Sequence, residues 1–180
     1  MIFATTTCLD FVHALAPGPC RDLMALSLLD DFKRYEAILS AFVVMPHHIH
    51  FVGRIPVTST SNALLDRIKS NSARRVLRIL PSRIVARFDQ QRGLNRKQFW
   101  MAGYRSIVLA SRSMFSQKVN YTHRNPVDAG YVDTRVDYKW SSAAFWTGGL
   151  WTPEHGLDLD RCREPFAHME QFLDLSTDWE

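Results

Sequence analysis

The hydrophobic pattern of the chain changes repeatedly between the two-residue period of a β-strand and the 3.6-residue period of an α-helix. From about Asp22 to Leu39 the apolar residues recur at helical spacing, whereas two apolar runs within 41–55 flank Pro46. Because proline is poorly placed inside a central strand, these runs predict a hairpin with its turn at Met45–His48. In chain order, the predicted elements are a strand at 2–9, a helix at 22–39, the hairpin at 41–55, a helix at 62–80 with a short continuation to 88, a strand at 104–110, a helix that ends about residue 125, and a short acidic helix at 164–175.

Prolines and small polar residues mark the expected ends of these elements. Pro17-Gly18-Pro19 breaks the chain after the first strand, and residues 90–95 predict a polar loop. Pro126 disfavours helical geometry in the residue before it, so the helix that precedes it is expected to end about Asn125. The candidate N-caps are Thr60 or Ser61 for the helix at 62–80, and Ser111 or Ser113 for the helix before Pro126.

The order strand, helix, hairpin, helix, strand, helix predicts an α+β protein. Two successive strand–helix–strand units form the ferredoxin-like βαββαβ arrangement, a four-stranded antiparallel sheet with helices on one face. One added helix follows this unit. The third strand is central in this topology, so its residues should lie in the middle of the sheet. We expect residues 1–149 to form the folded body and residues 150–180 an acidic extension that packs on it or trails from it.

The composition is that of an ordinary globular protein. Of 180 residues, 46% are hydrophobic and 22% charged, enough for one domain with a real core. The N-terminus lacks the basic and apolar regions of a secretory signal, and no apolar run is long enough to span a bilayer. The three cysteines are widely spaced, which favours a reducing cytosol over a disulfide framework or a thiolate zinc site. These features predict a cytoplasmic protein without a membrane partner.

Charge is distributed unevenly along the chain. Residues 1–149 carry 20 Lys and Arg against 10 Asp and Glu, whereas residues 150–180 carry two against eight. A basic body suggests a polyanionic partner, and a solvated basic surface is the common alternative. Clustering favours the partner, because Asp89 is the one acidic residue among eleven basic residues. The basic residues of this cluster are Arg67, Lys69, Arg74, Arg75, Arg78, Arg83, Arg87, Arg92, Arg96, Lys97 and Arg105.

The second strand of the predicted hairpin contains two histidines separated by one residue. His48 and His50 should point to the same face of the sheet, and Ile49 to the other. Two neutral imidazoles side by side can bind a metal ion if a third ligand completes the site. The alternative interpretation is that they are ordinary histidines at the end of a strand near a turn.

The helix before Pro126 contains a second pair of polar residues. Tyr121 and Asn125 are four residues apart, so they share one side of the helix. Asparagine offers a side-chain oxygen as an acceptor, and tyrosine can act as a covalent nucleophile. A metal held by the histidine pair and Asn125 could polarise a phosphate oxygen beside Tyr121. The alternatives are a core tyrosine and a helix C-cap asparagine.

Three blocks of the sequence carry a family resemblance. Residues 45–50, Met-Pro-His-His-Ile-His, resemble a His-hydrophobic-His signature. Residues 121–130 resemble a Tyr-x-x-x-Asn-Pro-Val-x-Ala-Gly block, and Trp140-Ser141-Ser142 resembles a landmark that follows it. Together they are similar to the single-tyrosine HUH transposases, most closely the REP-associated tyrosine transposase (RAYT) branch. The resemblance spans about residues 2–146.

The resemblance implies a metal-dependent single-strand DNA endonuclease and strand transferase on a ferredoxin-like fold. His48, His50 and Asn125 would be the metal ligands, and the metal would be Mg²⁺ or Mn²⁺. Tyr121 would be the nucleophile, forming a 5′-phosphotyrosine link and freeing a 3′-hydroxyl. The implied partner is single-stranded or hairpin DNA. The residues expected to contact it are Arg67, Lys69, Arg74, Arg75, Arg78 and Arg105.

Several questions stay open on the sequence alone. His47 stands where the family usually has Asn, and the acidic segment 150–180 matches no family block. His123 lies on a different side of the helix from Tyr121 and is expected to have a structural or DNA-contact role. Imidazole ligands favour Mn²⁺ over Mg²⁺. The sequence does not decide between a monomer and a homodimer.

Two other functions compete with the strand transferase. A non-catalytic nucleic-acid-binding module on the same fold would use the basic helices but would not need the histidine pair. A hydrolase with a metal-activated water would keep the histidine pair but leave Tyr121 without a role.

Overall fold

The chain folds into a four-stranded sheet with helices on both faces. A computed structural model describes residues 1–56, 61–88 and 98–146. The elements in chain order are β1 (Ile2–Thr7), α1 (Gly18–Arg34), β2 (Ile38–Val44), β3 (His48–Arg54), α2 (Ser61–Leu77), α3 (Ser82–Val85), β4 (Arg105–Val108), α4 (Arg112–Asp128) and α5 (Ala143–Trp146). Short 3₁₀ turns lie at Leu9–Phe11, Ala86–Phe88 and Arg135–Asp137.

The sheet has the strand order β2-β3-β1-β4, and every neighbouring pair is antiparallel. This is the ferredoxin-like arrangement, so the predicted α+β fold is confirmed. β3 lies between β2 and β1, in the middle of the sheet as expected. The hairpin turn also falls where the proline predicted it, with Met45 N donating to His48 O at 2.8 Å.

The two faces of the sheet carry different layers because strand side chains alternate between faces. Phe51 of β3 faces α1 and meets Phe32 edge-on, with ring centroids 5.4 Å apart. Val52, the next residue, faces the opposite side and packs in one cluster with Val119 of α4. The added helix α4 therefore forms a third layer, on the face of the sheet to which the histidine pair belongs.

Gly53 allows β3 and α1 to approach closely. A Cβ atom at this position would lie 2.6 Å from Phe32 Cε1 and 2.7 Å from the carbonyl oxygen of Ile38. The carbonyl belongs to the paired backbone of β2 and cannot move aside without disturbing the sheet. Only glycine fits here for that reason.

Helix α1 differs from its prediction at both ends. It begins at Gly18, inside the segment expected to break the chain, because proline is tolerated in the first turn of a helix. It ends at Arg34, and Glu36 turns the chain with a φ of 51°. Ile38 and Leu39, expected on the helix, belong to β2 instead. Their apolar side chains suit either period, and hydrogen bonding to β3 decides between them.

Helix α4 continues past Pro126 to Asp128, so the prediction that it ends about Asn125 is wrong. A proline inside a helix loses the hydrogen bond of its own N–H and crowds the carbonyl four residues earlier, but the residues after it can still form theirs. The next turn still forms, with Ala129 N donating to Asn125 O at 3.0 Å, and Pro126 is buried against the body. Asn125 therefore lies inside a helical turn and is not a C-cap.

The remaining elements follow the predicted pattern closely. α2 and α3 match the helix at 62–80 and its continuation, and Ser111 caps α4 by accepting from Met114 N at 3.2 Å. Thr60, the side chain of Ser61, the loop at 90–95 and the acidic helix at 164–175 lie outside what the structure describes. Across the described ranges, no helix is long and apolar enough to cross a membrane.

Candidate active site

Strand β3 begins at His48 and places both histidines on the face that α4 covers. Their ring centroids are 4.6 Å apart. His50 is buried, with Thr5 of β1 and Val43 of β2 as its register partners on either side. His48 is half-buried at the end of the strand. The central position of β3 thus holds the pair in a rigid part of the sheet.

Helix α4 brings Asn125 onto the two histidines. Asn125 Oδ1 lies 3.3 Å from His48 Nε2, and Asn125 Nδ2 lies 3.4 Å from His50 Nε2. Because Asn125 lies within a continuous helix, its side chain is carried on rigid backbone. The structure therefore brings together all three residues that the sequence suggested as ligands, although they come from two elements 75 residues apart.

These donor atoms fit a divalent metal ion. Two ligand atoms at right angles, each about 2.1 Å from such an ion, are about 3.0 Å apart, close to the 3.3 Å between Asn125 Oδ1 and His48 Nε2. Thr5 Oγ1 is hydrogen-bonded to His50 Nδ1 at 2.7 Å. A proton on Nδ1 leaves the lone pair of Nε2 free for a metal, so this bond holds His50 in a ligand's orientation. The buried Nδ1 of His48 has no hydrogen-bond partner among the described residues.

The chemistry of the donor set favours an ion that accepts nitrogen ligands. In the described part of the chain, no group of three or more His, Cys, Asp or Glu side chains could hold a metal. The amide oxygen of Asn125, 3.3 Å from His48 Nε2, would be the third donor beside the two imidazoles if an ion were bound. Two nitrogens and one oxygen suit Mn²⁺ better than Mg²⁺, whose preferred ligands are all oxygens.

Burial keeps both imidazoles uncharged at neutral pH. Desolvation lowers the pKa of His48 to about 4, and positive charge on His47 contributes in the same direction, whereas the hydrogen bond to Asn125 opposes it. Desolvation also lowers the pKa of His50 to about 3, with smaller contributions from nearby imidazoles and Lys118. An uncharged imidazole is the form that binds a metal.

Tyr121 lies one helical turn before Asn125, and its ring packs against the same face of the sheet. Its ring centroid is 5.2 Å from that of His50 and 5.8 Å from that of Phe3. The side chain is 45% exposed, so the alternative of a core tyrosine does not apply. One edge of the ring is thus supported by the protein, while a large part of the side chain stays accessible from solvent.

Sequence reasoning missed three residues of this site. Lys118 lies one turn before Tyr121, and its Nζ is 5.5 Å from the centroid of that ring and 5.1 Å from the centroid of Phe3. Phe3 itself stacks on His50, with ring centroids 5.5 Å apart. Helical spacing could have found Lys118, since it is three residues from Tyr121. Phe3 and Thr5 depend on how β1 is registered against β3, which no local pattern reveals.

The Trp140-Ser141-Ser142 block has a structural role. Its backbone pairs with the outer edge of β2, with Ser142 N donating to Phe42 O at 3.0 Å. Ser142 Oγ lies 2.8 Å from His123 Nε2, and His123 is 2% exposed. Burial lowers the pKa of His123 to about 3, with a smaller contribution from the charge of Arg135. His123 ties α4 to this block, so the DNA-contact alternative for it is wrong.

The basic residues expected to contact DNA divide between the two faces of the sheet. Arg105 is exposed on β4 and is the register partner of Thr5, so it lies on the histidine face. Four of the others lie on α2 and Arg78 directly follows it, in the layer on the opposite face. Lys69 among them is engaged by the chain itself, since its Nζ donates to Met101 O at 2.8 Å. Their contact with DNA stays a prediction.

Comparison with known proteins relates this site to a family. The chain matches a family model described as "Transposase IS200 like" over residues 18–125, more than half of its length. The solved structure of a REP-associated tyrosine transposase bound to a REP hairpin matches with a TM-score of 0.64 and 17% identity, over 82% of this chain and 78% of that chain. A putative transposase from Deinococcus radiodurans R1 matches with a TM-score of 0.49 and 17% identity, over 68% and 91% of the two chains.

These matches differ in what they establish. At 17% identity the likeness to the REP-associated transposase shows a shared fold alone, and the second structure is too dissimilar to carry an argument. Comparison with curated proteins found no match. The family match includes both the histidine pair and the segment from Tyr121 to Asn125. The chain therefore belongs to the IS200-like transposase family.

Proposed function

We propose that the protein is a metal-dependent single-strand DNA endonuclease and strand transferase of the HUH type, acting on hairpin-flanked DNA through a 5′-phosphotyrosine intermediate. The observation that carries the proposal is the convergence of His48, His50 and Asn125 beside the exposed Tyr121. Membership of a transposase family supports DNA as the substrate. Residues 1–149 are the proposed catalytic body, and residues 150–180 an acidic extension of it.

Three side chains of the body are the proposed ligands of a divalent ion, Mg²⁺ or Mn²⁺. His48 and His50 present Nε2, and Asn125 presents Oδ1. When bound, the ion supplies Lewis-acid polarisation of a phosphate oxygen. Thr5 holds the ring of His50 in place through the hydrogen bond at Nδ1. Since the ligands lie on a central strand and a helix, little reorganisation is needed to assemble the site.

Tyr121 is the proposed nucleophile for the scissile phosphodiester. Its phenolic oxygen forms a bond to phosphorus while the bond from phosphorus to the 3′ oxygen breaks. The phenol loses its proton to solvent, and the departing oxygen takes one up to become a 3′-hydroxyl. The DNA is left joined to Tyr121 through its 5′ phosphate. Because the phosphoester is conserved, attack by another 3′-hydroxyl reverses the step and rejoins DNA without ATP.

Lys118 is the charged neighbour of this reaction. Its ammonium group lies beside the rings of Tyr121 and Phe3, where negative charge develops on the phenolic oxygen and the phosphate. A fixed positive charge at such a place stabilises the transition state more than the ground state. Arg105, exposed on the same face, is positioned to hold the DNA backbone near the site.

The DNA partner follows from the family and from one neighbour. The REP-associated transposase that shares this fold was solved bound to a REP hairpin. We extend that kind of ligand to this chain, as a hairpin with unpaired flanks in which the cleavage site is single-stranded. The excess of basic over acidic residues in 1–149 supports a polyanionic ligand.

Covalent capture tests the proposal. The protein is incubated with Mn²⁺ and a set of hairpin oligonucleotides with unpaired flanks, drawn from the DNA on either side of its gene, and protein–DNA adducts are resolved on a denaturing gel. Wild type should become linked to the 5′ phosphate of the fragment that lies 3′ of the cut, and Tyr121→Phe should bind the DNA without forming the link. Tyr131→Phe is a matched control, since Tyr131 is exposed to a similar degree.

The outcomes separate the competing functions. A link that survives in Tyr121→Phe would sink the assignment of the nucleophile. Cleavage without a link, unaffected by Tyr121→Phe, would indicate a hydrolase with a metal-activated water. Binding without cleavage in any metal would indicate a non-catalytic module. The His48→Ala variant should lose cleavage but keep most of its salt-dependent DNA binding, because that binding comes from basic residues elsewhere.

A further inference from the structure

An exposed aromatic ring lies next to the histidines on a backbone that phenylalanine rarely adopts. Phe11 follows β1 and is 59% exposed. It has a φ of 55°, and Asp10 before it has a φ of 51°, a region that L side chains other than Asn and Asp seldom occupy. Apolar residues normally relieve strain by gaining burial. Here the strained turn holds the ring out toward solvent, which points to a use other than stability.

The turn that carries Phe11 is held in place by several backbone hydrogen bonds. Phe11 N donates to Cys8 O at 3.1 Å, and Leu9 N donates to Phe99 O at 2.9 Å. The start of the turn is joined to the β2–β3 hairpin, since Cys8 N donates to His47 O at 2.7 Å. The position of Phe11 relative to His47 is therefore fixed by the fold, and its ring is not on a freely moving loop.

A row of rings connects Phe11 with the proposed metal ligands. The ring centroid of Phe11 is 5.9 Å from that of His47. The ring of His13 stacks on that of His47, with centroids 5.0 Å apart and planes 11° apart. His47 in turn lies 4.5 Å from His48. His13 is exposed and His47 half-buried. The outer end of this row thus offers accessible ring surface close to the point where the scissile phosphate would lie.

We propose that Phe11, supported by His13 and His47, is a stacking site for one unpaired nucleobase of the DNA strand that adjoins the scissile phosphate. Proteins bind single strands by stacking bases on aromatic side chains, and each such contact is worth roughly 5- to 150-fold in affinity. This inference rests on the proposed function in one respect, the path of the DNA strand past the metal ligands. Its occupant is a base of single-stranded DNA, since a paired base would keep its faces covered by neighbours in the duplex.

The test replaces Phe11 in a way that separates binding from folding. Phe11→Gly removes the ring and also suits the positive φ, so thermal stability should not fall. Phe11→Trp keeps a ring and should preserve binding. Ile79→Ala removes an exposed apolar side chain from the region that follows α2 and serves as the matched control. The probe is the hairpin oligonucleotide carrying 2-aminopurine at successive unpaired positions, in buffer with a chelator so that no cleavage occurs.

One position of the flank should lose fluorescence on binding wild type and Phe11→Trp, and regain it with Phe11→Gly. Affinity should drop roughly tenfold in Phe11→Gly and stay unchanged in Ile79→Ala. Equal quenching and affinity in wild type and Phe11→Gly, or no quenching at any position, would overturn the stacking site. Covalent capture with Mn²⁺ is measured in parallel. If the protein is captured on DNA but the fluorescence is the same in wild type and Phe11→Gly, the stacking site is wrong and the proposed function stands. If Phe11→Gly abolishes the quenching but wild type forms no covalent link, the stacking site stands and the strand-transfer function is wrong.

Discussion

Acidification should destabilise the protein through His123, and His123→Gln should lose that part of the pH dependence. His123 is 2% exposed, with its Nε2 2.8 Å from Ser142 Oγ. Burial, and to a smaller extent the charge of Arg135, lowers its pKa from 6.5 to about 3. His123 is therefore protonated below pH 6.5 in the unfolded chain, but only below about pH 3 in the folded chain. The corresponding stability is present above pH 6.5 and is lost progressively as the pH falls below it.

The size of the effect follows from one proton. A proton bound only by the unfolded state costs about 1.4 kcal/mol per pH unit, which amounts to about 2 kcal/mol between pH 6.5 and pH 5. His48 and His50 act in the same direction, because their pKa values are also lowered by burial. The difference between wild type and His123→Gln cancels their contribution and isolates that of His123.

Urea unfolding followed by circular dichroism, in a chelating buffer at several pH values, measures this difference. Above pH 7 the free energies of unfolding of the two proteins should differ by a constant amount, which is the contribution of the hydrogen bond to Ser142. Toward pH 5 the stability of wild type should fall by about 2 kcal/mol more than that of the variant. Equal pH slopes for the two proteins would refute the assignment of His123 as a buried, neutral side chain.

Three further substitutions test the fold and the site. Gly53→Ala should lower the free energy of unfolding by about 1–3 kcal/mol, because its Cβ would meet the backbone at 2.7 Å. Gly18→Ala, whose Cβ would have its nearest contact at 3.6 Å, should have a much smaller effect. Equal losses of stability for the two variants in urea titrations would contradict this. Thr5→Val should weaken Mn²⁺ binding about 10- to 100-fold in spin-resonance titrations, because it removes the 2.7 Å hydrogen bond to His50, and unchanged affinity would count against that role. Lys118→Met should slow covalent capture at least about tenfold, and Lys118→Arg should restore it if charge, and not packing, is what matters.

Local patterns in the sequence were enough to predict the elements and two halves of the site. Alternation along a strand put His48 and His50 on one face, and a four-residue spacing put Tyr121 and Asn125 on one side of a helix. Pro46 marked the hairpin turn, and the order of elements led to the ferredoxin-like sheet. These inferences needed only the residue periods of strands and helices. Such periods extend over a few neighbouring residues and can therefore be recognised in the sequence.

Boundaries and contacts between distant segments were decided by the tertiary structure. Ile38 and Leu39 suit a helix or a strand equally, and pairing with β3 made them strand. Helix α4 continued past Pro126, and its packing over the sheet brought Asn125 to the histidines. Thr5 reached His50 only through the register of β1 against β3. Register, packing and the layering of α4 over the sheet join residues far apart in the chain, so no local pattern could have contained them. The sequence by itself determined which side chains could carry the chemistry, and the fold decided where they meet.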